Sequence, residues 1–65
     1  MNKPFTLIRW ERWGEETFVW PTKYAKEKNA IRRATEEIMW ESTERVIVID
    51  KRTGATVFNE PGTFV

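Results

Sequence analysis

The chain contains no cysteine and no histidine. Without cysteine it can form neither a disulfide nor a reactive thiolate. Without histidine it lacks the side chain that most often moves protons near neutral pH, and the usual zinc clusters are excluded with both residues. No glycine-rich phosphate loop and no serine–lysine nucleophile motif is present either. We therefore expect no catalytic residue, no metal and no other cofactor, and we interpret the chain as a protein that is not an enzyme.

The chain also lacks a long hydrophobic run and a strong excess of charge. No segment approaches the roughly 20 apolar residues of a membrane span, and the first residues lack the apolar core of a signal peptide. We therefore expect a cytoplasmic protein without a membrane partner. The net charge of +1 argues against a dedicated binder of polyanions.

A run of β-branched apolar residues, Val-Ile-Val-Ile at residues 46–49, stands between Arg45 and Asp50. β-Branched side chains favour an extended backbone, and the run is too short for a helix, so it predicts a strand. Side chains alternate between the two faces of a strand, so both faces here are apolar and both need cover. The chain has 65 residues, close to the lower limit for a domain that folds alone. We expect one domain over residues 1–65, with too little chain to cover both faces.

The remaining pattern predicts strands over residues 4–12, 15–20, 44–50 and 55–59, a helix over residues 22–41 and a tail over residues 60–65. Gly14 and Gly54 supply the turns of two hairpins. Thr22 is the expected N-cap of the helix. The alternative is that Tyr24 still extends the second strand and the helix begins near Lys26.

This order, ββαββ, predicts an α+β fold. The crossover helix brings the third strand back antiparallel to the first, which gives a four-stranded antiparallel sheet in the order 2-1-3-4 with one helix packed on one face. The two central strands are then those that are apolar on both faces, so pattern and topology agree.

Pairing within each hairpin assigns side chains to faces, but no local turn links the first hairpin to the second. We expect the helix to cover the bulkier face, made of Phe5, Leu7, Phe18, Trp20, Ile47, Ile49 and Phe58. The second face would then hold Ile8, Trp10, Val19, Val46, Val48 and Val57. An uncovered face of this kind marks an interaction site, and its partner would be another protein or a second copy, as a homodimer. The alternative is that the tail, with Phe64, folds over it.

The helix carries its charges in the unfavourable order, with Lys26 and Arg33 among the bases near its start and Glu36 and Glu37 among the acids near its end. One interpretation is that the charges and an exposed Trp40 bind a partner, through Lys26, Arg33 and Trp40. The other is that Arg32–Glu36 and Arg33–Glu37 form exposed pairs one helical turn apart. Trp40 faces solvent if the helix persists that far, and folds under if the helix ends near Met39.

The alternative function is a nucleic-acid-binding domain. Its sheet aromatics would stack on bases, and Arg9, Arg12, Lys51 and Arg52 would contact phosphates. The charge of the whole chain and the lack of an aromatic RNA-binding signature stand against it.

Residues Phe18, Pro21, Tyr24-Ala25, Ala30-Ile31 and Ala34, leading into the strand at 46–49, form a pattern similar to small phage-type accessory proteins, such as the short inhibitors of host RNA polymerase. The likeness covers about half of the chain and is generic for a strand that runs into a helix. The two full hairpins and the nearly neutral charge depart from it. The resemblance implies only that a chain of this build can act as an inhibitor, adaptor or accessory subunit by occluding a larger assembly.

Overall fold

The fold is an antiparallel sheet of four strands with one helix packed on it, described by a computed structural model for residues 3–14 and 17–63. The strands are β1 (Phe5–Glu11), β2 (Thr17–Val19), β3 (Thr43–Asp50) and β4 (Ala55–Pro61), and the helix, α1 (Glu27–Glu37), lies between β2 and β3. The strand order is β2-β1-β3-β4, and every neighbouring pair is antiparallel. The predicted α+β fold and its sheet order are confirmed.

The first hairpin places its side chains on the faces predicted from its turn. Ile8 lies opposite Val19, and Arg9 lies opposite Phe18. The ladder continues past β2, where the Trp20 N–H donates to the carbonyl of Leu7 at 2.9 Å. Leu7 and Trp20 therefore share one face of the sheet, and Ile8 and Val19 share the other. Residues 15 and 16, which belong to the predicted second strand, lie outside the described residues.

The register between β1 and β3 decides what the helix covers. Leu7 lies opposite Val48, and Ile8 lies opposite Ile47. Side chains of directly opposed residues point to the same face. Val46 and Val48 therefore join Leu7 under the helix, and both are fully buried. The prediction that they belong to the uncovered face is wrong, and so is the placement of Ile47 and Ile49 in the core.

The core under the helix is small and is built from short side chains. It consists of Phe5, Leu7, Val46 and Val48 from the sheet with Ala30, Ala34 and Ile38 from the helical segment. The two alanines are completely buried, because without larger side chains the helix backbone can approach the valines of β3 closely. Trp20, Tyr24, Val57 and Phe58 pack around this centre and are partly exposed.

A β-bulge in the second hairpin places the side chains of Val57 and Phe58 on the same side of the sheet. Asp50 closes the turn by accepting the Gly54 N–H at 2.7 Å, and Gly54 adopts a φ of +78° that favours glycine. Thr56 then pairs with Ile49, but Phe58 pairs with Val48, so Val57 is the extra residue of the bulge. Both Val57 and Phe58 pack against the core. Val57 is therefore also wrong as a residue of the uncovered face.

The helix begins later and ends earlier than residues 22–41. Tyr24 exchanges two backbone hydrogen bonds with Phe5, at 3.1 and 3.0 Å, which holds this part of the chain extended. The N-cap is consequently Lys26, with extended backbone angles, and not Thr22. At the other end the C-cap is Ile38, so Trp40 lies beyond the helix. The alternative of a start near Lys26 is the one that the structure shows.

The end of the described chain is fixed on the helix side. Strand β4 extends to Pro61, so residues 60 and 61 belong to the sheet and not to a tail. The Gly62 N–H then donates to the Glu44 carbonyl at 2.8 Å, and the Thr63 N–H donates to Ile38 at the end of the helix at 2.8 Å. Phe64, predicted as a cover for the second face, lies outside the described residues.

Candidate functional site

The candidate site is the sheet face turned away from the helix, which we call the outer face. Strand pairing arranges its side chains in three rows across the sheet. The middle row is Val19, Ile8, Ile47 and Asn59. The two rows that flank it are Thr17, Trp10, Arg45 and Pro61 on one side, and Thr6, Ile49 and Thr56 on the other.

The centre of the outer face is apolar and open. Ile8, Trp10, Ile47 and Ile49 are each partly exposed, although they come from the two central strands of the sheet. Val19, at the edge, is 51% exposed. Thr6 is a short side chain opposite Ile49 and is only 3% exposed, so this position lies low in the surface. The helix contacts β1, β3 and β4 from the other side, so among the described residues no helix and no further strand lies over these side chains.

The outer face is also poor in charge. Arg45 is the one charged residue in its three rows as the structure describes them, and its guanidinium donates to the side-chain oxygen of Asn59 on the neighbouring strand β4. In the whole chain 32% of residues are charged. The face that lacks cover is thus the face from which charged side chains are nearly absent, which is the pattern of a buried surface.

The helix face differs, because it holds a network of ion pairs. Glu37 is buried at the end of the helix, and its carboxylate lies 3.2 Å from Arg9 Nη1 and 3.1 Å from Arg33 Nη2. Arg9 Nη2 lies 3.1 Å from the Glu11 carboxylate and donates to Ser42 Oγ. Acids at the end of a helix are unfavourable for its dipole, but here two guanidinium groups neutralise Glu37. The predicted Arg33–Glu37 pair is confirmed, although it is partly buried.

A second ion pair closes the opposite end of the sheet. Arg52 donates from Nε and Nη2 to the two carboxylate oxygens of Asp50, at 3.1 and 3.0 Å. These hydrogen bonds hold the pKa of Asp50 below its ordinary value. The guanidinium of Arg52 also lies 5.4 Å from the ring centre of Phe5. The pair therefore stabilises the β3–β4 turn and packs against Phe5 at the edge of the core.

The structure divides the predicted protein-binding residues between the two sides of the sheet. Ile8, Trp10 and Val19 lie on the outer face, as predicted, whereas Val46, Val48 and Val57 lie on the helix face. Lys26 occupies the N-cap position without a side-chain capping hydrogen bond, and the guanidinium carbon of Arg33 lies 5.7 Å from the centre of the Trp20 ring. Trp40, in the connection to β3, is 61% exposed. These last three residues do not join the outer face, and their role in binding stays a prediction.

Ile47 and Ile49 belong to the outer face and were missed. Alternation along β3 separates the valines from the isoleucines but does not say which pair faces the helix. A signal was present in the helix, because Ala30 and Ala34 suit the smaller side chains opposite them. Close approach of a helix backbone favours valine over isoleucine beneath it.

The four cations of the nucleic-acid alternative do not form one surface. Arg9 and Arg52 are engaged with carboxylates, and Arg12 Nη2 lies 3.4 Å from the carbonyl of Thr43. Lys51 adjoins the start of β1, where its N–H donates to Pro4, whereas Arg12 follows the end of β1. The length of β1, about 20 Å at roughly 3.3 Å per residue, separates these two ends.

Comparison of the chain with protein-family models, with curated proteins and with solved structures returned no match. No helix in the described part of the chain is long and apolar enough to cross a membrane. Within residues 3–14 and 17–63, no three acidic side chains are grouped so that they would hold a metal ion. The functional argument therefore depends on the geometry of the outer face.

Proposed function

We propose that the protein is a small, non-catalytic protein-binding module whose outer face is the binding surface. The observation that supports this proposal is an apolar and nearly uncharged sheet face with no covering layer among the described residues. A partner would supply the second layer that sheets of this composition normally have. By occluding a surface of a larger protein, such a module would act as an inhibitor, adaptor or accessory subunit.

The composition of the central strands supports the proposal. An antiparallel sheet that faces water on one side usually alternates apolar and polar residues. Here the outward positions of β1 and β3 hold Ile8, Trp10, Ile47 and Ile49. Burial of such surface contributes about 25 cal/mol per Å², so a partner over these residues would gain a substantial hydrophobic term.

The edges of the sheet are less suited to binding than its face. The Gly62 N–H donates to β3, so the backbone nitrogen of the neighbouring Pro61 points away from β3, toward the open edge of the sheet. Proline has no N–H there to offer another strand. In the described part of the chain strand β2 spans three residues, and Pro21 follows soon after its end. Short edges with proline resist the addition of a strand, so we expect a partner to lie across the face.

A photo-crosslinking amino acid at position 10 tests the proposal in cells that express the protein. With the probe in place of Trp10 on the outer face, we expect covalent adducts with protein that mass spectrometry can identify. The matched control carries the probe in place of Phe18, which is 50% exposed on the helix face. Equal adducts from both positions, or none from position 10, would contradict the proposal.

Salt separates this function from nucleic-acid binding. A complex held by phosphate contacts weakens steeply as salt increases, whereas burial of an uncharged apolar face does not. We therefore expect irradiation of cell lysates in high salt to form as many adducts at position 10 as irradiation in low salt.

A further inference from the structure

We propose that the outer face binds the outer face of a second copy, so that two sheets form a sandwich around a two-fold axis. This inference depends on the proposed function, because it names the partner of the same surface. The axis would run along the middle row of the outer face, at the level of Ile8 and Ile47. Each strand then lies over its own copy, with Ile8 facing Ile8 and Ile47 facing Ile47.

Charge favours a second copy as the occupant. Two identical surfaces bring like charges together wherever a charged residue lies near the axis, and this repulsion opposes most self-association. In the described rows of the outer face Arg45 is the single charged residue, and it lies in a flanking row beside Asn59. An axis along the middle row places the arginines of the two copies at opposite ends of the interface.

Shape favours the same arrangement. A two-fold axis that crosses the strands at Ile8 reverses the strand direction of the second copy. A residue that follows Ile8 in one copy therefore lies over the residue that precedes Ile8 by the same number of positions in the other copy. Trp10 of one copy then lies over Thr6 of the other, and Arg45 lies over Ile49. The tallest side chain of the face meets its lowest position, since Thr6 is almost fully buried between its neighbours.

The size of the face sets the expected strength. Four strands spaced about 4.8 Å apart and three rows about 7 Å apart give a footprint of roughly 400 Å² per copy. Two copies would bury about 800 Å² in a flat projection of the two faces, which is below the roughly 1,000 Å² of stable specific interfaces and typical of weak, transient ones. We therefore expect a reversible dimer that dissociates in the micromolar range and not an obligate one.

Sedimentation velocity of the complete chain over a range of concentrations tests the inference. The expected result is a mass that increases from one chain to two. Ile47→Glu and Ile47→Lys should each remain monomeric, whereas an equimolar mixture of the two should dimerise again, because the axis brings position 47 of each copy together. Phe18→Glu, on the opposite side of the sheet, should dimerise like the natural chain.

Val19→Glu and Val19→Lys provide a second pair, in case changes at Ile47 prevent folding, because Val19 lies in the same row at the exposed edge. A natural chain that stays monomeric at every concentration overturns the dimer. If the probe at position 10 still forms adducts with a different protein, the proposed function is retained. A dimer that survives in both position-47 variants, or single variants whose mixture stays monomeric, overturns the axis and the self-pairing. A dimer that only Phe18→Glu disrupts overturns both proposals.

Discussion

The two faces of the sheet are similarly apolar, but the helix side contains ion pairs and the outer face is nearly free of charged side chains in its described rows. The helix side carries Arg9 and Glu37 within a partly buried network, while the outer face leaves its apolar centre open and holds a single arginine toward one end of β3. A charge is tolerated near a core when it is paired and hydrogen-bonded. The helix supplies such partners on one side, whereas on the outer face a charge would need a partner from another molecule. The difference indicates that the outer face is adapted to an apolar cover.

The largest expected effect comes from placing the same charge on each face. Val48→Asp puts an unpaired carboxylate into a fully buried position, and we expect it to remove several kcal/mol, enough to unfold so small a domain. Ile47→Asp, one residue away on the outer face, should change the stability of the monomer by about 1 kcal/mol or less. Urea denaturation at low protein concentration measures both. Equal destabilisation by the two variants would mean that the outer face is already covered within one chain.

A smaller effect is expected from the ion pairs of the helix face. Glu37→Ala leaves the partly buried guanidinium of Arg9 with one carboxylate partner in place of two, and we expect a loss of about 2 kcal/mol in the free energy of unfolding. Glu36→Ala is the matched control, because its exposed carboxylate lies 3.8 Å from Arg33 and should contribute less than about 0.5 kcal/mol. Thermal unfolding of the two variants gives the comparison. Similar losses would indicate that the network is no stronger than a surface pair.

The smallest effect concerns pH. Arg52 lowers the pKa of folded Asp50, so the pair stabilises the fold above the ordinary carboxyl pKa of 3.8, and this contribution is lost as the pH falls through the lower, folded pKa. Asp50→Asn should therefore reduce the melting temperature near neutral pH. As the pH falls from 5 to about 2, the melting temperature of this variant should decrease less than that of the natural chain.

Because the described rows of the outer face contain no carboxylate, dimer dissociation should not change over the upper part of this pH range. Acid-sensitive dissociation would place an acidic group at the interface.

The sequence predicted what local turns determine. In the first hairpin the turn near Gly14 correctly placed Ile8 and Val19 on one face, because the two strands are joined directly. The sheet order was also predictable, since a single crossover helix between two hairpins leaves few arrangements. The predicted face was therefore correct for Ile8, Trp10 and Val19, and their role in binding stays a prediction.

What could not be predicted depends on contacts between distant segments. No turn joins β1 to β3, so the choice between the valines and the isoleucines of β3 was decided by packing under Ala30 and Ala34. The start of the helix was likewise set by the pairing of Tyr24 with Phe5, which outweighs the capping tendency of Thr22. Phe58 was placed in the core correctly, but only because the wrong β3 face and the unforeseen bulge compensate for each other.

The bulge at Val57 has a consequence for how the chain can vary. Because Val57 is the extra residue of the bulge, its deletion would leave a regular ladder in which Phe58 still lies opposite Val48 and Asn59 opposite Ile47. The side chains that follow would keep their present sides, with Asn59 on the outer face and Glu60 on the helix side. The strand can therefore lose one residue at this point without a change in the side chains that the outer face presents. Variants shortened by this residue are expected to associate as the natural chain does.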